Sequence, residues 1–316
     1  MYLPMLAGIG SQNDLEREGY IYEPKLDGTR ALCYANSTMK FINRRGTDIT
    51  ERYPEFSFRD QIKARSCVLD GEIVVRDASG GEDFDALGQR IHPAASRVAL
   101  LAEETPAVYV AFDLLAREDE SMLERPFAER RAALEELVEG FSGDAGPLEL
   151  IESVRDPGAA GKWLAHAEGA IAKELSSPYR PGARAGMTKV KRVRTIDAVI
   201  AGWRPGKEEG TVGALILGLY DGDELRVVGH CSGLKASEKR RLVGFLSQYE
   251  SGERGSADPS RWSAGKDLEW VGLRPELVLE VDFDHVSAGR IRHGAKLRSW
   301  REDKDPRECT IDQLAS

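Results

Sequence analysis

The sequence predicts an α+β fold in two domains, a mixed first domain over residues 1–196 and a smaller, β-rich second domain over residues 197–316. The first observation is length, because a chain of 316 residues usually exceeds what one hydrophobic core can organise. The second is a change in the residue pattern near residue 197, after which the sequence predicts short strands joined by glycine-rich turns. We therefore expect the boundary close to residue 196.

Strands dominate the early part of the first domain. Between residues 20 and 115, short apolar runs alternate with glycine, aspartate and asparagine, a pattern that is typical of β-structure. One further strand is expected after the helices of this domain. The predicted strands are Ala31–Tyr34, Val68–Val75, Val108–Leu115 and Ile171–Glu174.

Two helices are expected in the second half of the first domain. Pro126 introduces a periodic stretch from Phe127 to Val138, and Gly140 stands where a helix C-terminus is often capped. Asp156-Pro157 has the residue types of an N-cap and a first helical position. This second helix is expected to end near Glu168-Gly169, before the strand Ile171–Glu174.

The second domain is predicted to consist of short strands and one helix. Ser237 is the expected N-cap of that helix, and Leu242, Val243 and Phe245 are its apolar residues. This arrangement fits a small β-barrel of the OB type. The glycine- and serine-rich stretch Ser251–Ser260 is expected to form a surface loop. The predicted strands are Ala198–Trp203, Ala214–Tyr220, Leu225–Gly229 and Leu277–Phe283.

The composition is that of an ordinary soluble globular protein, with 41% hydrophobic and 31% charged residues. No apolar run approaches the roughly 20 residues that a membrane helix needs. Residues 1–10 lack the basic start and the cleavage pattern of an export signal. We therefore expect a cytoplasmic protein without a membrane partner. The four cysteines form no Cys-x-x-Cys pair, so the pattern indicates neither a zinc site nor a disulfide framework.

Net charge alone does not indicate a nucleic-acid-binding protein, because the formal charge is −9. Binding depends on local patches, however, and the sequence contains two basic runs. A basic run taken by itself most often forms a solvated face. The first run contains Arg180, Arg184, Lys189, Lys191, Arg192 and Arg194; the second contains Arg290, Arg292, Lys296, Arg298, Arg301, Lys304 and Arg307, with acidic residues between them.

The segment from Glu23 to Arg30 concentrates side chains that can carry chemistry. Lys25 follows a carboxylate by two positions and precedes an Asp27-Gly28 turn, and Arg30 stands five residues further on. By itself this pattern is equally compatible with a surface hairpin closed by an Asp-Gly turn. Its significance depends on the motifs that follow it.

The pattern Lys25-x-Asp27-Gly28-x-Arg30 resembles the hallmark motif of the covalent nucleotidyltransferases, which comprise DNA ligases, RNA ligases and mRNA-capping enzymes. Segments similar to the other motifs of that superfamily follow in the same order over nearly the whole chain. Each is weak alone, but an ordered set is not a chance pattern. In detail the chain resembles the small bacterial ATP-dependent DNA ligases, relatives of the end-joining ligases. The segments are Arg44-Arg45-Gly46, Leu69-Asp70-Gly71-Glu72, Phe112-Asp113, Glu168-Gly169-Ala170-Ile171, Lys189-Val190-Lys191 and Arg301-Glu302-Asp303-Lys304.

The resemblance implies a mixed α/β nucleotidyltransferase domain with antiparallel sheets, followed by the OB barrel. It also implies a three-step reaction: Lys25 attacks ATP and becomes lysyl-AMP, AMP passes to a DNA 5′-phosphate, and the adjacent 3′-hydroxyl group displaces AMP. Asp27 and Gly28 belong to the nucleotide-binding motif around that lysine. A lysine attacks only as the neutral amine, and nearby cations disfavour its protonated form. Lys189, Lys191 and a bound Mg²⁺ are the expected cations.

The resemblance further assigns the charged residues that surround ATP. Lys189 and Lys191 are expected on the phosphates of ATP or AMP, since a Lys-x-Lys pair on a strand presents both side chains on one face. An exposed edge strand with solubilising lysines is the alternative for this pair. Glu72 and Glu168 are expected to bind Mg²⁺ or Mn²⁺, which prefer carboxylate oxygens, or the ribose. Either glutamate taken singly could also be an ordinary surface residue.

Adenosine recognition is assigned by the same resemblance. Phe112 matches the ring that stacks on adenine and Ile171 the apolar residue on the other face of the base, although Phe112 alone is more typical of a core. Glu23 is expected near the base edge, where it helps to select adenine. Arg30 and Arg44 match residues that reach the ribose and the 5′-phosphate of the nick, for which a planar guanidinium is suited.

Arg301, Asp303 and Lys304 lie in the second domain, far from the other motifs in sequence. The resemblance implies that this domain swings in during adenylylation, orients the leaving pyrophosphate, and then turns another face to DNA. Asp197, at the domain junction, is the candidate hinge residue. The role of Arg298 stays open, because its basic stretch is spaced differently from that of some eukaryotic ligases.

Two alternatives to a DNA ligase remain at this point. The same chemistry could act on RNA, as in a capping guanylyltransferase or an RNA ligase. The chain could also be a non-catalytic nucleic-acid-binding protein with an OB fold, although such a relative would be expected to lose at least one charged motif residue. The predicted substrate is nicked duplex DNA, with end-joining or excision-repair proteins as candidate partners and a monomer as the expected state. The sequence does not decide which repair pathway the protein serves.

Overall fold

The computed structural model describes residues 2–91, 94–118, 120–138, 146–257, 268–287 and 289–314. The chain divides into two compact units, Met1–Arg192 and Val193–Ser316. The units separate slightly before the boundary expected at residue 196, because the first strand of the second unit already begins at Arg194. No helix among the described residues is long and apolar enough to cross a membrane.

The first unit contains strands and helices in alternating groups. Short 3₁₀ turns at Gln12–Glu16, Thr50–Arg52 and Arg59–Gln61 connect some of them. The strands are β1 (Leu6–Ile9), β2 (Tyr20–Pro24), β3 (Thr29–Ala35), β4 (Met39–Asn43), β5 (Cys67–Val75), β6 (Ala107–Arg117), β7 (Glu120–Ser121), β8 (Leu148–Leu150), β9 (Gly169–Glu174) and β10 (Arg184–Lys191). The helices are α1 (Phe84–Gly88), α2 (Ala95–Glu104), α3 (Phe127–Leu137) and α4 (Pro157–His166).

Two sheets organise the first unit. One has four strands in the order β1-β10-β9-β2, and the other has six, in the order β4-β3-β5-β6-β7 with β8 beside β6. Most neighbours are antiparallel, whereas β1 with β10 and β6 with β8 are parallel. The prediction of a mixed domain with mainly antiparallel sheets is therefore confirmed for this unit.

The register of the four-stranded sheet sets the positions of three sequence motifs. β2 pairs antiparallel with β9, so that Glu23 lies opposite Ile171 and Pro24 opposite Ala170. β10 pairs antiparallel with the other edge of β9, with Lys189 opposite Ile171. Because β10 lies between β1 and β9, it is not the exposed edge strand that the alternative explanation of its lysines required.

The six-stranded sheet carries apolar clusters on both faces. Leu69 and Ile73 of β5 belong to the largest core cluster of the unit, whereas Val74 packs in a separate cluster with Phe112. A strand that is buried on both faces has a nearly continuous apolar sequence. This is why the run Val68–Val75 was recognisable as a strand from the sequence alone.

The starts of α3 and α4 agree with the signals in the sequence. The Asp156 side chain accepts a hydrogen bond from the Ala159 N–H at 2.7 Å, and Pro157 is the first residue of α4. α3 begins directly after Pro126 and is followed by Val138 at its C-cap. Gly140, the predicted cap of α3, lies outside the described residues.

In its described part, the second unit is built on a seven-stranded sheet with one α-helix. The path β13-β12-β11-β15-β14 is extended by β16, which pairs with β11 and with β19. Buried residues of β11, β12 and β16 form its core, together with Leu242 and Leu246 of the helix. The elements are β11 (Arg194–Pro205), β12 (Val212–Asp221), β13 (Glu224–Cys231), α5 (Ala236–Ser247), β14 (Glu250–Ala257), β15 (Leu268–Leu273), β16 (Val278–Phe283), β17 (Val286–Ser287), β18 (Arg290–Ile291), β19 (Lys296–Trp300) and 3₁₀ turns at Pro306–Glu308 and Ile311–Leu314.

The N-cap predicted for α5 was wrong. The helix begins at Ala236, and Lys235 occupies the capping position, with its main-chain N–H donating to Oε2 of Glu238 at 2.9 Å. Ser237 therefore lies within the first turn. Glu238, three residues after the cap, satisfies the otherwise free main-chain N–H of the capping residue.

The surface loop predicted for Ser251–Ser260 was also wrong over its described part. β14 covers Glu250–Ala257 and pairs with β15, with Gly255 opposite Trp270 and Ala257 opposite Leu268. The glycines that suggested a loop serve the sheet. Gly252 takes a φ of 84° where the register shifts, and Gly255 makes room for the indole ring of Trp270. Residues 258–260 lie outside the described residues.

Replacing Gly255 by alanine is expected to destabilise the second unit. An added Cβ would lie 2.1 Å from Cζ2 of Trp270, and overpacking of this kind costs about 1–3 kcal/mol. Urea unfolding followed by tryptophan fluorescence measures the effect as a lower midpoint. Gly233→Ala is the matched control, because a Cβ there meets no atom within 4 Å. Equal midpoints for the two variants would contradict the packing argument.

Candidate active site

Lys25 is the first residue after β2. Its main-chain N–H donates to the Gly169 carbonyl at 2.9 Å, and its Nζ lies 3.2 Å from Oε2 of Glu168. Both side chains are largely buried, with exposed fractions of 19% and 13%. Because Glu168 directly precedes β9 and β9 pairs with β2, the sheet register brings together two residues that are 143 positions apart.

Two glycines permit this close approach. A Cβ at Gly28 would lie 2.2 Å from the Ile73 carbonyl oxygen, and a Cβ at Gly169 would lie 2.1 Å from the Val190 carbonyl oxygen. Gly169 also has a φ of 136°, a conformation that other residues rarely adopt. The glycines of the Asp-Gly and Glu-Gly motifs are therefore required by packing.

A cavity of about 250 Å³ lies beside Lys25, between strands of the two sheets of the first unit. Eight of the residues that the sequence placed at a nucleotide site line it: Glu23, Lys25, Arg30, Arg44, Glu72, Phe112, Ile171 and Lys189. Asp27, Gly28, Glu168 and Lys191 lie in the same unit but outside this lining. Arg184, which the sequence analysis noted only as part of a basic run, also lines the cavity. The remaining lining residues were not singled out from the sequence; they are Pro4, Leu6, Ala7, Pro24, Leu26, Ile151, Lys173 and Met187.

The apolar part of the cavity lies between Phe112 and Ile171. Phe112 belongs to β6 in the six-stranded sheet and is 7% exposed, whereas Ile171 belongs to β9 in the other sheet. Ile151 belongs to the same buried cluster as the Phe112 ring, and the partly buried Leu26 packs against that cluster. An apolar slot between two sheets suits a flat aromatic ligand.

Lys173 is a functional candidate that the sequence did not reveal. It is 4% exposed, and its Nζ donates to Oε2 of Glu23 at 2.6 Å and to the Phe112 carbonyl oxygen at 3.1 Å. The same ammonium group lies 4.5 Å from the centroid of the Phe112 ring. The available signal was strand alternation, which places Lys173 on the same face of β9 as Ile171.

Glu23 is a buried carboxylate in the cavity wall, with 1% of its surface exposed. Burial raises the pKa of Glu23, against the opposing attraction of Lys173 and Arg131. Oε2 accepts from Lys173, whereas Oε1 lies 3.5 Å from Nη1 of Arg131 and has no hydrogen-bond partner among the described atoms. Buried acceptors without a partner are rare, so this oxygen fits an N–H group of a ligand.

Arg30 is held rigidly at the cavity wall. Its Nε and Nη2 donate to the two carboxylate oxygens of Asp70, each at 2.7 Å, and its guanidinium carbon lies 4.6 Å from the centroid of the Phe112 ring. Asp70 is fully buried and also accepts from the Tyr179 hydroxyl group at 2.6 Å. The guanidinium plane is therefore fixed by a bidentate ion pair and by the ring.

Glu72 lies opposite Arg30 in the β3–β5 ladder. Burial raises the pKa of Glu72 to about 7, although the positive charges of Arg30 and Lys25 act in the opposite direction. A divalent cation would offset this unfavourable burial of charge. Carboxylate oxygens are the ligands that Mg²⁺ and Mn²⁺ prefer, so Glu72 and Glu168, which both interact with the Lys25 charge, fit such an ion.

Cations gather at the end of the cavity formed by β10. Burial lowers the pKa of Lys189, and the positive charges of Lys191, Lys25, Arg184 and Arg44 lower it further. Lys189 and Lys191 are two positions apart on the strand and so share one face. Positive charges that lie close enough to lower the pKa of a lysine side chain suit the binding of a polyphosphate.

The comparisons with known proteins agree with this geometry. The family described as ATP dependent DNA ligase domain matches residues 4–191, and the ATP dependent DNA ligase C terminal region matches residues 208–304. DNA ligase C1 of Mycolicibacterium smegmatis is 41% identical over 98% of this chain and 93% of its own. DNA ligase C of Mycobacterium tuberculosis is 40% identical over 93% of this chain and 88% of its own. The solved structure of mycobacterial DNA ligase D complexed with ATP and MES is 30% identical with a TM-score of 0.55, covering 98% of both chains.

The chain belongs to the ATP-dependent DNA ligases. The ligase also matches the multifunctional non-homologous end joining protein LigD of Mycobacterium bovis, at 31% identity over 96% of this chain and 39% of that protein. The predicted resemblance to small bacterial ligases related to the end-joining enzymes is thereby confirmed.

The second unit of the ligase contains the remaining motif. Arg301 follows β19, and its side chain pairs with Asp197 at 2.8 Å and with both carboxylate oxygens of Asp303 at 3.0 Å. Lys304 pairs with Glu308 at 2.6 Å. Asp197 lies within β11, where Gln313 hydrogen-bonds to its main chain. The connection between the units, after Arg192, precedes it, so the hinge role of Asp197 stays a prediction.

The basic run of the second unit is largely paired with acids of the same unit. Arg298, whose role the sequence left open, lies 3.4 Å from Asp282 and 3.8 Å from Glu280. Arg307 lies 3.4 Å from Asp223. These pairs are exposed and so contribute little to stability, but they reduce the local positive charge that the sequence suggested.

Replacing Gly169 by alanine is expected to destabilise the first unit of the ligase. Backbone strain at this φ of 136° costs about 1–3 kcal/mol, and the clash with the Val190 carbonyl adds to it. Thermal unfolding followed by circular dichroism measures the loss as a lower midpoint. Gly161→Ala in α4 is the control, because a Cβ there meets no atom within 4 Å and alanine favours a helix. A Gly169→Ala protein as stable as the control would contradict this account.

Proposed function

We propose that the ligase seals nicks with a 3′-hydroxyl and a 5′-phosphate group in duplex DNA, through an AMP bound covalently to Lys25. The observation that carries this proposal is the position of Lys25 Nζ. It lies at the wall of the cavity, 3.2 Å from Glu168, with the cationic strand β10 on one side and the apolar slot on the other.

In the first step, the neutral Lys25 Nζ attacks the α-phosphorus of ATP. A nitrogen–phosphorus bond forms, and the bond between the α-phosphorus and the bridging oxygen breaks, which releases pyrophosphate. The attacking nitrogen becomes acidic as the new bond forms, and Glu168 Oε2 lies within reach to take the released proton. Splitting one difficult transfer into successive nucleotidyl transfers is the purpose of the covalent intermediate.

The residues of the cavity would orient ATP for this attack. Phe112 and Ile171 enclose adenine, and the unpartnered Oε1 of Glu23 accepts a hydrogen bond from the exocyclic amino group of the base. Lys189 and Lys191 neutralise the phosphates. Arg44 lines the cavity from the exposed side, whereas the neighbouring Arg45 is not part of the lining.

A divalent cation, Mg²⁺ or Mn²⁺, would be held by Glu72 and Glu168. It would supply charge neutralisation for the phosphates when bound. The support for this assignment is the raised pKa of Glu72, which reflects a buried carboxylate whose charge Arg30 and Lys25 compensate only in part.

The second and third steps use DNA as substrate. An oxygen of the DNA 5′-phosphate attacks the lysyl-AMP phosphorus, which frees Lys25; the 3′-hydroxyl oxygen then attacks the 5′-phosphorus and releases AMP. Arg30, Arg44 and Arg184 all line the cavity and suit phosphate oxygens. Because a nick can occur at any sequence, contacts to DNA are expected mainly at phosphates, with affinity that falls steeply with salt.

We further propose that residues 193–316 form an OB-type barrel that acts in the first step through Arg301, Asp303 and Lys304. Support comes from the order of its elements: β11, β12 and β13 form a meander, α5 follows, and the later strands β15 and β16 return to pair with β11. In such a role the Arg301 guanidinium would exchange Asp197 and Asp303 for the leaving pyrophosphate. We propose DNA repair as the setting, with end-joining or excision-repair proteins as partners and a monomer as the working form.

Sealing of a 5′-phosphorylated nick tests the function directly. The wild-type protein is expected to seal the nick with ATP and Mg²⁺ but not with GTP or NAD⁺, and Lys25→Ala is expected to lose both sealing and covalent labelling by α-³²P-ATP. Loss of at least about 1,000-fold is expected for removal of a nucleophile. Labelling that persists in Lys25→Ala would sink the assignment of the nucleophile, and labelling without sealing of DNA would redirect the search to RNA.

The first step is expected to depend on pH through Glu72. Below its pKa of about 7 the Glu72 carboxyl group is protonated and neutral, so it does not bind a cation. We therefore expect kcat/KM for lysine adenylylation to rise as the pH increases through this value. Glu72→Gln is expected to be slower and to lack this limb of the profile. Glu82→Gln is the control, because burial also raises the pKa of Glu82 but its carboxylate pairs with Arg76. A limb that survives in Glu72→Gln would contradict the assignment.

A further inference from the structure

A closed ring of hydrogen bonds lies behind Arg30. The main-chain N–H of Met5 donates to the Tyr179 hydroxyl oxygen at 2.7 Å, and that hydroxyl group donates to Oδ2 of Asp70 at 2.6 Å. Asp70 accepts the bidentate pair from Arg30, and Nη2 of Arg30 donates to the Met5 carbonyl oxygen at 3.2 Å. The ring therefore begins and ends on the main chain of one residue.

The ring is buried except at its functional end. Tyr179 is 1% exposed, Asp70 is 0% exposed and Met5 is 3% exposed, whereas the Arg30 side chain is 22% exposed and lines the cavity. Burial, followed by the negative charge of Asp70, raises the pKa of Tyr179, so its hydroxyl group stays a donor. In this low-dielectric setting each hydrogen bond orients the next.

We propose that Tyr179 is a positioning residue of the ligase reaction, acting through Asp70 to fix the guanidinium group of Arg30 at the nucleotide cavity. Asp70 has two oxygens and receives two donors from Arg30, so its carboxylate plane determines the guanidinium plane. The Tyr179 hydroxyl group is a further donor to Asp70 and restrains rotation of this plane. Tyr179 itself does not line the cavity.

The same ring ties the N-terminal segment to the reaction site. Pro4, Leu6 and Ala7 line the cavity on either side of Met5, and both main-chain groups of Met5 are members of the ring. The proposal rests on the function proposed above, because it assumes that Arg30 contacts the nucleotide or the nick. It adds a residue that stands outside every motif that the sequence analysis recognised.

Tyr179→Phe tests the proposal, because it removes only the hydroxyl oxygen. The measurement is the single-turnover rate of Lys25 labelling by α-³²P-ATP over a range of ATP concentrations, followed by sealing of a nick. We expect kcat/KM for labelling to fall about tenfold, since a small displacement of a positioning group costs up to about 100-fold. The wild-type protein and Tyr179→Phe are first compared by thermal unfolding, and both are assayed well below their unfolding midpoints.

Tyr34→Phe is the matched control. Its hydroxyl oxygen also accepts a main-chain N–H of the N-terminal segment, that of Tyr2 at 2.8 Å, but it has no contact with Asp70. Loss of the Tyr34 hydroxyl group is expected to change kcat/KM for labelling by less than about twofold. An equal loss in the two variants would show that anchoring of the N-terminal segment, and not the orientation of Arg30, is what matters, and it would overturn the proposal.

A double-mutant cycle separates positioning from a general effect on the fold. If Tyr179 acts through Arg30, Tyr179→Phe has no further effect on labelling in an Arg30→Ala background. Additive losses would overturn the proposal. Should Arg30→Ala give no measurable labelling, Asp70→Asn replaces it in the cycle with the same expected result. Absence of labelling in the wild-type protein would refute the proposed function itself, whereas wild-type rates in Tyr179→Phe would refute only this inference.

Discussion

The antiparallel pairing of β2 with β9 is the constraint on which the active site depends. It places the residue that follows one strand, Lys25, beside the residue that precedes the other, Glu168. The opposite edge of β9 pairs with β10, so the same ladder sets Lys189 next to Ile171. A slip of one residue in either pairing would turn alternate side chains to the other face of the sheet. Lys25, Glu168 and Lys189 are therefore positioned by one sheet.

Eight residues of the cavity lining could be named from the sequence because they occur in ordered local motifs, and β5 was recognisable because it is buried on both faces. Lys173 was missed, since a single lysine in a strand carries no mark of the buried Glu23 and Phe112 that it contacts. β14 was missed for a related reason. Its glycines favour a loop locally, and only pairing with β15, more than ten residues away, makes it a strand. What local patterns do not contain is the identity of long-range partners.

Buried ion pairs surround the cavity of the first unit. Glu23 with Lys173, Asp70 with Arg30 and Asp113 with Arg130 each join a carboxylate to a cation across different strands or helices. Such pairs contribute little net stability, because desolvation of the charges offsets their attraction. They do fix direction, since a bidentate carboxylate–guanidinium contact tolerates little rotation. At the cavity of this ligase they hold the cations of Arg30 and Lys173 against the Phe112 ring.

The distribution of charge explains how a chain with a net charge of −9 can serve a polyanionic substrate. In the second unit, arginines of the basic run form ion pairs with nearby acidic residues. Arg298 pairs with Asp282, and Arg307 pairs with Asp223. Around β10 the pKa of Lys189 is lowered by burial and then by the positive charges of Lys191, Lys25, Arg184 and Arg44. A positive field at the cavity attracts phosphate groups towards it.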